Sequence, residues 1–161
     1  MKHISRNLEE TQKIAKNFVY SIKKNEKGAT VVGFYGNLGS GKTTFVQNIA
    51  KVFGVSDTVT SPTFVIMKVY ELRDQRPETR ENFSKLLSLN SSFHHLVHID
   101  AYRLEKSEEL LHLGWKDIIS NKENLILVEW PENVIDIMPK HIKIYLKHIE
   151  NENSREIEIM L

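Results

Sequence analysis

Thr30-Val31-Val32-Gly33-Phe34-Tyr35-Gly36-Asn37-Leu38-Gly39-Ser40-Gly41-Lys42-Thr43 is the stretch from which the rest of the chain can be read. Its first half is apolar, β-branched and aromatic, the pattern of a strand buried on both faces. Its second half fits G-x-x-x-x-G-K-[ST] at every position. Glycines at these places let successive backbone N–H groups curl around a phosphate, Lys42 supplies a cation to the β/γ oxygens, and the Thr43 hydroxyl is a magnesium ligand. From Lys42 to Phe53 the apolar residues Phe45, Val46, Ile49, Ala50 and Phe53 recur at helical spacing until Gly54, so the loop opens a helix whose positive dipole end faces the phosphate. Strand, glycine loop and helix in that order begin a parallel-sheet α/β fold.

Upstream, Leu8, Thr11, Ile14, Ala15, Phe18, Val19 and Ile22 predict a helix over 8–23, closed by Gly28. Downstream, Ser61-Pro62 marks a turn before a strand ending near residue 72. The polar stretch 73–92 reads as a surface insertion. Strands are predicted at 94–100 and 125–129, with a helix at 106–119 between them. A short helical turn lies between Pro131 and Pro139. The alternating ends HIKIYLKHIE and SREIEIML predict a hairpin turning at Asn151–Ser154. The expected fold is therefore a mainly parallel central sheet with antiparallel additions and a C-terminal hairpin, flanked by helices.

The chain has 161 residues, 40% hydrophobic and 27% charged, with a formal net charge of +1. That length predicts one domain. The absence of cysteine excludes a disulfide scaffold, a zinc-thiolate site, an iron–sulfur cluster and a thiol nucleophile. No apolar run approaches the roughly 18 residues of a membrane span, and the start is too polar for a signal peptide, so a cytoplasmic protein without membrane contact is expected. The near-zero charge is not that of a chain built to coat nucleic acid. Lys143 and Lys147, alternating with Ile142, Ile144 and Leu146, read either as a tRNA-touching face or as a solvated strand face.

A phosphate loop also needs a carboxylate at the end of a neighbouring strand, to hold the metal or orient water. Two apolar runs end in one, at Asp100 and at Glu129, and parallel strands would bring both out at the edge where open α/β sheets place ligands. Glu132 is a weaker candidate. Trp130 reads either as packing or as an aromatic face for a base, and Ser61-Pro62-Thr63-Phe64 either as a switch segment or as a strand-entry turn. His94, His95 and His98 read as strand histidines, because His95 opposes the other two at period-two spacing and no fourth metal ligand is evident. Asn121-Lys122-Glu123-Asn124 lacks the aspartate that reads guanine, which argues against a GTPase. Arg73, Arg76 and Arg80 keep a small-molecule phosphotransferase open.

Taken together, Glu10-Thr11, GNLGSGKTTF, SPTF, the H-x-D-x-Y-R string from His98 to Arg103, the E-L-x-x-x-G stretch from Glu109 to Gly114 and Glu129-Trp130-Pro131-Glu132 make the chain resemble the bacterial TsaE (YjeE) family. These are P-loop ATPases of tRNA threonylcarbamoyladenosine synthesis. The resemblance implies that Gly39, Ser40, Gly41, Lys42, Thr43 and Thr44 hold the phosphates of ATP and that Thr43 and Glu129 ligate Mg2+. It makes Asp100 the switch or catalytic acid, beside Lys42 and Glu129. It puts Trp130 and Glu132 near the nucleotide, Thr11 near the base, and Arg155 in contact with the nucleotide. It also implies weak ATP hydrolysis alone, action with TsaD and TsaB, and contact with tRNA through that complex. The stretch 73–92 is longer than the family pattern leads one to expect.

Overall fold

A computed structural model describes residues 1–55, 66–72, 93–149 and 151–161, with the side chains of 151–153 excepted. The elements are β1 (Lys2–Ser5), α1 (Leu8–Ser21), β2 (Thr30–Tyr35), α2 (Lys42–Val52), β3 (Met67–Glu71), β4 (His95–Asp100), α3 (Ser107–His112), α4 (Trp115–Ser120), β5 (Asn124–Glu129), a 3-10 segment (Pro131–Ile137), β6 (Ile142–Ile149) and β7 (Asn151–Met160). Strands associate in the order β1-β7-β6-β2-β5-β4-β3. The central run β6-β2-β5-β4 is parallel, while β3, β7 and β1 add antiparallel edges. The expected mainly parallel sheet with antiparallel additions is the observed one.

Each face of the sheet carries its own core. Val32, Phe34, Leu96, Leu125, Leu127, Ile144 and Leu146 meet α1 and α2 on one side. Phe45 of α2 sits between Phe34 and Phe18, at centroid distances of 6.0 and 6.5 Å. Val31, Val97, Ile99, Ile126 and Val128 meet Leu110, Trp115 and Val134 on the other side. Buried side chains of this size contribute about 1.5–3 kcal/mol each, so β2, lying between β6 and β5, is anchored from both layers. Its carboxyl end, where the phosphate loop starts, inherits that rigidity. Asn7 caps α1 by accepting from the Glu10 N–H at 2.8 Å. α2 closes where Gly54 and Val55 donate to the Lys51 and Ala50 carbonyls.

Several expectations are corrected. Helix α1 ends at Ser21, and Gly28 instead brings its backbone against the Ile119 carbonyl. The helix predicted over 106–119 is two short helices, interrupted at Gly114 with φ 82°. The hairpin turn predicted at 151–154 belongs to β7, because Ile149 already faces Asn151. β1 was not anticipated; its polar residues suit an edge strand paired to β7. Ser61–Phe64 and 73–92 lie outside the described residues. On the outer face of the hairpin, Lys147 stands opposite Glu156, which also pairs with Lys2 at 3.0 Å. No described helix is long and apolar enough to cross a membrane.

Candidate nucleotide site

The loop leaves β2 at Gly36 and enters α2 at Gly41, the α2 N-cap. Gly36 has φ 142°, and a Cβ there would fall 2.2 Å from the Leu146 carbonyl oxygen of β6. Only glycine fits this crossing, where the loop passes directly over its neighbouring strand. Two side chains of the hairpin then hold the loop from outside. His148 Nε2 lies 2.8 Å from the Gly39 carbonyl, and Arg155 Nε donates to the Ser40 carbonyl at 3.1 Å. His148 and Arg155 are cross-strand partners. Since the peptide is planar and trans, fixing the Ser40 carbonyl against Arg155 aims the Gly41 N–H the opposite way.

Lys42 is only 5% exposed. Its Nζ donates to the Gly36 and Asn37 carbonyls at 2.6 and 3.1 Å and lies 3.7 Å from the centroid of the Trp130 ring. Burial pushes its pKa below the usual lysine value, although Glu129, Glu132 and Asp100 act in the opposite direction. The ammonium is thus a desolvated cation whose partners among the described residues are two carbonyls and an indole. The Ser40 hydroxyl, in the same loop, is buried without a hydrogen-bond partner among the described residues. A buried cation, an orphaned hydroxyl and the N-terminus of an 11-residue helix make a donor set that fits a phosphate.

Parallel pairing sets Asp100 of β4 level with Glu129 of β5, and Glu129 level with Phe34 of β2. Both predicted acids therefore emerge at the loop's edge of the sheet, 6% and 2% exposed. Glu129 Oε2 accepts the Thr43 hydroxyl at 2.8 Å, and its Oε1 lies 2.8 Å from His98 Nε2. A hydroxyl and a carboxylate are hard oxygen donors of the kind Mg2+ takes alongside phosphate oxygens. Among the described residues there is no group of three acidic or histidine side chains that would cage a metal without such help. Asp100 Oδ1 accepts the Tyr102 N–H at 3.0 Å, shaping the turn after β4.

Beside the loop opens a cleft of about 590 Å³, lined by Arg6, Leu8, Thr11, Ser40, Thr44 and Arg155 among others. Thr11, Ser40, Gly41, Thr44 and Arg155, predicted from distant parts of the sequence, meet here. Trp130 does not line this cleft; its ring covers Lys42 and touches Tyr102 at 4.9 Å. Glu132 is exposed, and near enough to bias Lys42 and Tyr35 electrostatically. Glu109 has a structural place, accepting the Glu105 and Lys106 N–H groups. Residues 121–124 form the turn into β5, with Asn124 donating to the Asn121 carbonyl. Sequence reasoning treated His98 as an ordinary strand histidine and did not find His148. His98 had one available signal: it shares Asp100's sheet face by alternation, two residues from the functional edge.

Comparison with known proteins bears on the family and the fold. The family model "Threonylcarbamoyl adenosine biosynthesis protein TsaE" matches residues 5–157. The tRNA threonylcarbamoyladenosine biosynthesis protein TsaE of Rickettsia conorii is 32% identical over 160 residues, 98% of this chain and 77% of that protein. Its Bacillus subtilis counterpart is 32% identical over 152 residues, 94% of this chain and 79% of that protein. The crystal structure of Bacillus subtilis YdiB superposes with a TM-score of 0.65 at 26% identity, covering 99% of this chain and 83% of that one. With a P-loop fold and a family match over nearly its whole length, the chain belongs to the TsaE family, whose members are named for the biosynthesis of threonylcarbamoyladenosine in tRNA.

Proposed function

We propose that this chain binds and hydrolyses ATP with Mg2+ as a subunit acting with TsaD and TsaB, in forming the threonylcarbamoyl group on the adenosine next to the anticodon of ANN-decoding tRNAs. The observation that carries the reading is the convergence of Lys42, Thr43 and Glu129 at one sheet edge, with the Thr43 hydroxyl and Glu129 carboxylate 2.8 Å apart. In this reading Gly39–Thr44 hold the phosphates, and Lys42 exchanges the Gly36 and Asn37 carbonyls for β/γ oxygens. Thr43 and Glu129 hold the Mg2+, which neutralises phosphate charge when bound. Asp100 orients the attacking water. Thr11 and Arg155 line the cleft that receives the nucleoside. ATP and Mg2+ order the loop at Asp100 against TsaD and TsaB, and hydrolysis resets the complex between turnovers.

A second reading, a nucleotide-gated binding module with incidental hydrolysis, is favoured by one contact chain. Lys42 touches Trp130, Trp130 touches the 46% exposed Tyr102, and Asn133 ties the two loops by donating to the Ala101 carbonyl at 2.9 Å. Displacement of Lys42 by phosphate reaches the surface along this route without any bond being cleaved. The two readings separate on Asp100→Ala and Glu129→Ala, assayed for ATP binding and for tRNA modification by the reconstituted complex. Retained binding with lost modification supports the ATPase; retained binding with full modification supports the gated module. A phosphotransferase would instead form ADP only in step with a phosphorylated small acceptor.

A further inference from the structure

His98 is wholly buried in β4 at 0% exposure, and Glu129 beside it is 2% exposed. A buried carboxylate needs hydrogen-bond donors, and among the described residues Glu129 has two. Thr43 donates to Oε2 and His98 Nε2 donates to Oε1, each at 2.8 Å. The direction of the second bond follows from its partner, since a carboxylate oxygen only accepts. The other imidazole nitrogen, Nδ1, is buried without a partner among the described residues, so the one hydrogen bond the ring makes there is to Glu129. The division is asymmetric. The Thr43 hydroxyl is the group expected to turn toward a metal, and that bond to Oε2 is then given up. His98 is left as the donor that keeps the carboxylate from rotating.

We infer that His98 is a positioning residue for the metal: it fixes Glu129 through Oε1 so that Oε2 stays turned toward Thr43, the residue with which it would hold Mg2+. This rests on the nucleotide reading above. Partners that orient a metal-ligating carboxylate in this way typically affect metal affinity by about 10–100-fold. A core histidine that only fills space would affect folding and not the metal response.

The test uses the whole chain and ADP binding by calorimetry, from EDTA through a series of Mg2+ concentrations. Three variants are compared with wild type. His98→Gln places an amide N–H where Nε2 stands; His98→Asn carries the same amide one bond short; His98→Phe fills the ring's volume with no donor. The Mg2+ concentration for half-maximal tightening should rise about 10–100-fold in His98→Asn and His98→Phe, with metal-free ADP affinity unchanged. His98→Gln should stay close to wild type. In a Glu129→Gln background, His98→Phe should add no further loss. The inference is overturned if either His98→Asn or His98→Phe folds and keeps the wild-type Mg2+ response, if metal-free affinity falls equally, or if His98→Gln is as impaired as the others. Wild-type binding that ignores Mg2+ would overturn the metal site and this role with it; wild-type protein that binds no ADP would overturn the nucleotide reading itself.

Discussion

Replacing Gly36 with alanine asks whether the phosphate loop really crosses β6 without room for a side chain. The added Cβ would stand 2.2 Å from the Leu146 carbonyl oxygen and 2.8 Å from Ser40 Oγ. Carbon–oxygen contacts settle near about 3.3 Å, so loop and strand must part by roughly 1 Å. β6 is not free to yield, because it pairs directly with β2 through Tyr35 and Tyr145 and its Leu146 is 2% exposed. Overpacking of this kind costs about 1–3 kcal/mol, and holding alanine at a φ of 142° costs a further 1–3 kcal/mol or so. Near the middle of the sum, about 4 kcal/mol, the thermal midpoint of a chain this size falls by roughly 8–16 °C. Gly39→Ala is the control: the nearest atom is 3.9 Å away, leaving mainly the φ of 76°, worth about 1–2 kcal/mol. Both variants are measured by circular dichroism on nucleotide-free protein, in heat and in urea. If Gly36→Ala loses no more stability than Gly39→Ala, the close approach of loop and strand is wrong.

Other consequences follow from charge and contact. Lys42→Met should raise the melting temperature of nucleotide-free protein while abolishing stabilisation by ATP, since burial lowers the lysine's pKa in the fold. Between that lowered value and the ordinary 10.5 the unfolded chain binds more protons, so wild-type stability rises with pH there and the methionine variant's advantage shrinks; unfolding at a series of alkaline pH values reads this out. The Tyr35 hydroxyl is pushed up to about 12 by burial, then by Tyr145 and Glu132, so absorbance titration should find one late-ionising tyrosine that Tyr35→Phe removes. Its sign is opposite: the fold holds a proton that the unfolded chain releases above pH 10, so this contribution to stability is lost as pH rises through that range. Arg155→Ala should weaken ADP binding about tenfold, the loss of one charge-assisted hydrogen bond of roughly 1.5 kcal/mol, with little change in melting temperature; equal losses in binding and stability would mean that Arg155 only holds the hairpin.

The phosphate loop and the strand acids could be read directly because their signals are local. Thr30–Tyr35 is apolar throughout, the glycine pattern occupies consecutive positions, and Asp100 and Glu129 each end an apolar run. Parallel register then does the assembly, aligning Asp100 with Glu129 and Glu129 with Phe34. What escaped was decided by partners distant in the chain. Lys2–Ser5 has little intrinsic strand character and becomes a strand only because β7 offers its edge. The interruption at Gly114 was hidden by helical spacing that continues on both sides of it. His148 serves the loop through a carbonyl contact across 109 residues of sequence. His98 looked like one of three neighbouring histidines; burial and register alone separate it from His94, which pairs with Glu123 at 2.7 Å away from the site.

Phosphate release from ATP, measured on the purified chain alone and with its TsaD and TsaB, beside Lys42→Ala, tests the central claim most directly. The account predicts slow release by the chain alone, strong stimulation by the pair, and loss of both in the variant. Tight ATP binding without stimulated release, or stimulated release that survives Lys42→Ala, would contradict it.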